Sequence, residues 1–269
     1  MRRAAFVAVL VAVSGGASAS AHTVPRQSPR VAHARQLNAV WTAAVLRLAR
    51  TGQPVYCGGG RLPQVALTFD DGPSWRTTSA ILSLLRGAGA GATFFDVGRQ
   101  ATYYPELVRR QRVLGSVGDH TWSHQRLTGM PWRRLVFQLR WGRGAVQRAT
   151  RRYVRLFRPP YGERTRLVDR AAHGLHMLQV LWSVDSRDSD GATLAQIERN
   201  VLQGLRPGAI VLLHENHPET LVALRRTILP ALKKRGLRAV SVPELLATDP
   251  PRRPWLGQRA CPWPGPEYP

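Results

Sequence analysis

From residue 64 onward the chain alternates between short apolar runs and stretches with helical spacing. The strand-like run "QVALTF" (64–69) is followed by an amphipathic pattern over 77–88, and "ATFFDVG" (92–98) by a helical pattern over 104–114. A long helical pattern covers 131–152, then come strand-like "YVRLF" (153–157), a helix over 164–175 and the apolar run "MLQVLWSV" (177–184). A helix over 194–205, the strand "AIVLLHE" (209–215), a helix over 219–236 and the closing segment 237–246 complete the series. Apolar runs alternating with helices predict a parallel sheet whose strands are joined by helical crossovers. Six or seven such units in about 190 residues suit a barrel better than an open sheet.

The flanks read differently. Residues 1–21, "MRRAAFVAVLVAVSGGASASA", carry two arginines, an apolar run of about ten residues and an Ala-x-Ala end. This is the layout of a secretory signal peptide, and the run is too short to span a bilayer. No later stretch is long and apolar enough to span one, so no transmembrane segment is expected once the signal is removed. Residues 22–63 form an extension and linker with one amphipathic helix over 34–50, the main domain covers 64–248, and 249–269 is a proline-rich tail. A secreted monomer, able to associate with the cell wall, is the expectation. In an exported chain the two cysteines, Cys57 and Cys261, read as one disulfide tying the ends of the main domain. The formal net charge of +23, nearly all arginine, suits attraction to an anionic surface, but no nucleic-acid recognition module accompanies it.

Charge becomes informative where it interrupts the apolar pattern. "TFDDGP" puts Asp70 and Asp71 at the end of the first strand; Asp185 and Asp188 follow another, and His214 ends a third. Reactive groups in parallel-sheet folds collect at the carboxyl ends of strands, so these residues are expected on one rim. "GDHTWSHQ" adds His120 and His124, a spacing that on a helical turn would bring both imidazoles to one ion. With one aspartate as third ligand, a site with open positions results, for which zinc is the default and iron a competitor. The second aspartate then stays free as a base. Read singly, several of these residues have plainer explanations: "RPPYG" as a rigid turn, Trp122 as packing, Asp185 as a strand-end cap, and His173, His176 and His217 as loop residues.

Taken together, "TFDDG", "HTWSH", "RPPYG", "DSRD" and "LLHE" resemble, in order, the motifs of polysaccharide deacetylases of the NodB-homology type, carbohydrate esterase family 4. The resemblance covers about residues 64–245 and implies an α/β fold, a distorted (β/α) barrel, with metal-dependent removal of acetyl groups from a polysaccharide such as peptidoglycan or a chitin-like glycan. It implies Asp71, His120 and His124 as ligands of a divalent metal, with Zn2+ foremost and Co2+ or Ni2+ able to serve. Asp70 would be the base, held by Arg158; His214 would be the acid, oriented by Asp188. The Tyr161 N–H would complete an oxyanion hole, and Leu212 or Leu213 would lie near the acetyl methyl. Two alternatives are an O-acetyl xylan esterase and a non-catalytic wall-glycan-binding module. The chain departs from the pattern at Ser189, where tryptophan is common, at Glu163 and Glu215, and at Asp96, which would be awkward if buried.

Overall fold

The computed structural model describes residues 29–258 and 261, so the signal-peptide reading and most of the tail lie outside the described residues. Among the described residues there are eight strands: β1 (Gln64–Gly72), β2 (Thr93–Asp96), β3 (Ser116–Asp119), β4 (Leu156–Phe157), β5 (Leu178–Gln179), β6 (Val184–Asp185), β7 (Ile210–His214) and β8 (Arg238–Val240). They form one sheet in the order β5-β4-β3-β2-β1-β7-β6, with β8 joined to the start of β1, and every pairing is parallel. The outermost strands β5 and β6 do not pair, so the sheet curls into a barrel that stays open between them. Backbone from the linker occupies that gap: Val55 bridges Val180, and Cys57 bridges Ala209.

Around the sheet lie α1 (Pro29–Ala49), α2 (Thr78–Gly87), α3 (Gly98–Tyr103), α4 (Pro105–Leu114), α5 (Trp132–Thr150) and α6 (Arg166–Gly174). The outer layer is completed by α7 (Leu194–Gly204), α8 (Pro218–Ala223), α9 (Leu229–Lys234) and α10 (Val242–Thr248). Helix starts follow local chemistry. Thr193 caps α7 in a reciprocal bond with Gln196, and Ser241 accepts from the Glu244 N–H at the start of α10. The helical run read over 219–236 forms as α8 and α9 around a π-helical turn at Leu224–Ile228, just before Pro230, which has no N–H to give an α-helical bond.

The largest core cluster joins Val65, Leu67 and Phe69 of β1 and Val211 and Leu213 of β7 to Ile81 and Leu82 of α2 and Ile197 and Val201 of α7. Alternate strand residues therefore face the helices, while Thr68, Asp70, Leu212 and His214 face the barrel interior. Cys57 and Cys261 are bonded across a separation of 204 residues, as the cysteine pair had suggested.

Three elements differ from the sequence reading. β3 was not expected, because four residues that include Gly118 and Asp119 carry little strand signal. The run 177–184 is two short strands rather than one. Its middle carbonyls, Val180 and Leu181, leave the ladder to accept bonds from the Arg158 side chain at 2.8 and 3.2 Å. The stretch from His120 to His124 is a loop after β3, not a helical turn.

Candidate active site

Register brings the rim together. Asp70 pairs with His214 and with Phe95, and Asp96 pairs with Asp119, directly before His120. Consecutive strand residues normally point to opposite faces, so two adjacent aspartates could not both serve one site on a regular strand. The structure resolves this with a bulge: the β1–β2 register steps from Asp70 to Gly72, leaving Asp71 as the extra residue at φ 65°. The bulge turns Asp71 back toward the side that Asp70 already faces.

His120 and His124 converge by a strained loop. Thr121 and His124 both have left-handed backbones, at φ 68° and 54°. Left-handed conformations cost an ordinary residue about 1–2 kcal/mol each and gather where side-chain aim matters. Asp71 Oδ1 lies 3.1 Å from His124 Nε2 and 3.6 Å from His120 Nε2, and candidate donor atoms of the three residues lie within 4.8 Å of one another. Asp71 Oδ1 is shielded from solvent yet accepts no hydrogen bond. His120 Nδ1–H donates to the Arg158 carbonyl at 2.8 Å, which leaves the Nε2 lone pair for the cluster. Burial drives the His120 pKa down to about 3, so this ring is neutral. An orphaned carboxylate oxygen beside an imidazole lone pair is the donor set a divalent cation requires, and the residues present fit one.

Beside this cluster Asp70 is almost wholly buried and paired with Arg158, which is fully buried. Arg158 Nη1 donates to Asp70 Oδ1 and to Thr68 Oγ1, each at 2.8 Å, and its guanidinium stacks 4.2 Å from the Phe95 ring centroid. With its Nε and Nη2 held by Val180 and Leu181, Arg158 is fixed on every side. Burial raises the Asp70 pKa, and Arg158 acts against that rise. Asp70 Oδ2, the oxygen away from Arg158, lies 3.7 Å from His120 Nε2.

Across the cleft, His214 Nδ1–H donates to Asp188 Oδ1 at 2.6 Å, and the His214 backbone N–H donates to Asp188 Oδ2 at 2.8 Å. Thr220 also donates to Asp188 Oδ2. Burial works against the charged ring, but the Asp188 bond and charge, with the fields of Asp70 and Asp71, push the His214 pKa up to about 9. Tyr161 stands at φ 61° with its ring 4.9 Å from that of His124, half-exposed at the cleft. Arg126 stacks on Tyr161 and pairs with Glu163 at the same edge.

The structure thus brings Asp70, Asp71, His120, His124, Arg158, Tyr161, Asp188 and His214 together. Leu213 is a correction: it is fully buried among the β1, α2 and α7 side chains and faces away from the cleft. Leu212, two residues before His214, shares the interior face. Asp185 is a local anchor, accepting from the Trp182 indole at 3.1 Å and the Arg187 N–H at 2.9 Å. Trp122 packs edge-on against Trp141.

Sequence reasoning missed a buried layer beneath the rim. Asp96 and Glu215 are both fully buried, joined through Gln111 Nε2 at 3.1 and 2.6 Å, and Thr78 also donates to Glu215. Burial, with each other's charge for Asp96, raises both pKa values, Glu215 to about 7. Both carboxylates press on Gly72, where even a Cβ would meet Glu215 Oε1 at 2.4 Å. The one available signal was the pair of departures at Asp96 and Glu215, which read as unrelated until their strands were paired. Asn216, which reaches Asp71 Oδ2 at 3.4 Å, gave none.

The polysaccharide deacetylase family profile matches residues 59–180. A chitooligosaccharide deacetylase of Azorhizobium caulinodans is 32% identical over 195 residues, covering 66% of this chain and 92% of the relative. The peptidoglycan-N-acetylglucosamine deacetylase PgdA of Listeria monocytogenes is 37% identical over 183 residues, 68% of this chain and 38% of that longer protein. Among solved structures, a family 4 carbohydrate esterase from Streptomyces lividans in complex with acetate superimposes with a TM-score of 0.62 at 34% identity, over 68% of this chain and 92% of that one. The curled parallel sheet, the motif residues gathered on its rim and these likenesses together mean that the chain belongs to the polysaccharide deacetylase family.

Proposed function

We propose that this deacetylase is exported and metal-dependent, and removes acetyl groups from the N-acetylamino sugars of a wall glycan, peptidoglycan foremost. The observation that carries the reading is the clustering of Asp71, His120 and His124, with their orphaned oxygen, beside Asp70, which is also the cross-strand neighbour of His214 in the His214–Asp188 pair. Asp71, His120 and His124 would hold a divalent cation, zinc by default. Such a cation supplies Lewis acidity, polarising a carbonyl and making water a better nucleophile near neutral pH.

The chain's own groups account for the remaining proton movements. Asp70, its Oδ1 pinned by Arg158, has Oδ2 free to take the proton of the attacking water. The Tyr161 N–H would donate to the developing oxyanion, an interaction typically worth ~3 kcal/mol. Leu212 would face the acetyl methyl. An amine leaves poorly unless protonated, and His214, kept charged by Asp188, has its Nε2 proton to give. The C–N bond breaks as that proton arrives, giving acetate and a free amino sugar. Ser189, where tryptophan is common, leaves one wall of the sugar groove open and bears on glycan affinity, not on the charged centre.

Export rests on the layout of residues 1–21 and fits the Cys57–Cys261 disulfide. Acetate release from peptidoglycan, chitin oligomers and acetyl-xylan, with added zinc or cobalt and with chelator, tests the whole reading. Release from the N-acetylated glycans that stops with chelator and returns with metal is expected. Release from acetyl-xylan alone would make the protein an O-acetyl esterase, and no release from any would leave a binding module.

A further inference from the structure

Not every hollow of the molecule lies at the rim. A hollow of about 400 Å³ opens at the opposite end of the barrel, where Ser116 and Leu156 begin β3 and β4. Its wall includes Trp41 of α1, Arg112 of α4, and Arg151, Arg152, Tyr153 and Arg155 from the α5–β4 turn, and none of the described lining residues is acidic.

Four arginines therefore line one hollow with no carboxylate among its described lining residues. Some arginines elsewhere meet acids, as Arg61 does Asp249, Arg164 does Asp169 and Arg238 does Glu244, although 39 basic residues against 16 acidic ones leave most without one. None of the four cavity arginines forms an ion pair among the described residues. Arg112 gives one hydrogen bond, to the Gly115 carbonyl at 3.1 Å, and Arg155 stacks 5.2 Å from the Tyr153 ring. Arg112 is half-buried, and burial together with the nearby Arg152 charge lowers its pKa. Like charges held together and partly removed from water are stabilised by an anion between them. Guanidinium forks match phosphate oxygens in pairs, which ammonium groups do not. A hollow of this volume lined by four arginines has room for more than one phosphate-sized group, and the +23 formal charge draws polyanions toward the surface.

We propose that this basal cavity is a second binding site, for a phosphate-rich linear polyanion, separate from the acetyl-removing cleft. It would tether the protein to an anionic polymer while the opposite rim stays free for substrate. It does not rest on the proposed substrate of the cleft.

The test is a binding titration of the purified chain with linear inorganic polyphosphate, beside orthophosphate and polyglutamate. Two double variants remove equal charge: Arg112→Gln with Arg152→Gln in the cavity, and Arg166→Gln with Arg170→Gln on the exposed face of α6. Polyphosphate is expected to bind more tightly than the other two. The cavity pair should weaken it at least tenfold and lower the salt-dependence slope by roughly 2, near 0.9 per lost contact. The α6 pair should weaken it less than twofold, with both variants melting as cooperatively as the parent. Equal losses in both variants would show that net charge alone binds the polymer and would overturn the site. So would absent binding, or orthophosphate or polyglutamate binding as tightly as polyphosphate.

Discussion

His120 and His214 stand on the same rim, at the tips of β3 and β7, yet their surroundings move their protons in opposite directions. His120 meets an uncharged partner, the Arg158 carbonyl, and burial takes its pKa down to about 3. His214 is nearly as buried, but its partner is the Asp188 carboxylate, and its pKa rises to about 9. Burial alone disfavours both imidazolium ions; the charge of the second partner decides which ring keeps its proton. Groups driven apart in this way mark the division of acid–base labour in a site. On the proposed reading one ring would serve as a neutral donor to a cation and the other as a proton source.

Replacing His120 breaks the comparison at its neutral end. His120→Ala is expected to abolish stoichiometric metal binding and lower turnover by several kcal/mol, on the order of 10³-fold, read as acetate release with metal supplied. Asp70→Asn should keep the metal and lower turnover by roughly 10²- to 10⁴-fold, the range of a lost general base. Loss of metal in this variant, seen by elemental analysis, would mean that Asp70 and Asp71 have exchanged roles.

Asp188→Asn removes the charge that separates the two rings. In chelator-treated wild type the folded His214 pKa lies above its unfolded value of about 6.5. The protonated ring therefore stabilises the fold fully below about pH 6.5, and that stabilisation drains away as pH rises through about 9. Melting temperatures from pH 6 to pH 10 should fall more steeply for wild type than for Asp188→Asn; parallel curves would detach His214 from Asp188. Thr220→Val is the mildest cut, removing one hydrogen bond to Asp188 at about 1 kcal/mol. It should lower the alkaline limit of activity slightly and leave metal content unchanged.

The ends of this comparison were open to sequence reading to different degrees. His214 and Asp70 end apolar runs, so the periodicity that predicted the parallel sheet also put them on one rim, whereas Arg158 came only from the resemblance of "RPPYG". The HxxxH pair was joined correctly for the wrong reason, since two left-handed residues rather than a helical turn bring the rings together. The bulge at Asp71 was invisible because it exists only in the register of β1 against β2. The resemblance left Leu212 and Leu213 as alternatives at the cleft, and strand alternation from His214, with Leu213 in the core, selects Leu212. The Asp96–Gln111–Glu215 layer depends on residues more than 100 positions apart, which no local pattern connects.

Metal content after exhaustive dialysis against trace zinc, measured by elemental analysis on wild type and on His120→Ala with His124→Ala, addresses the cation cluster most directly. Wild type should retain one zinc per chain and the double variant none. A full equivalent retained by the folded variant, or a wild type that stays metal-free, would contradict the assignment of Asp71, His120 and His124 as a shared ligand set.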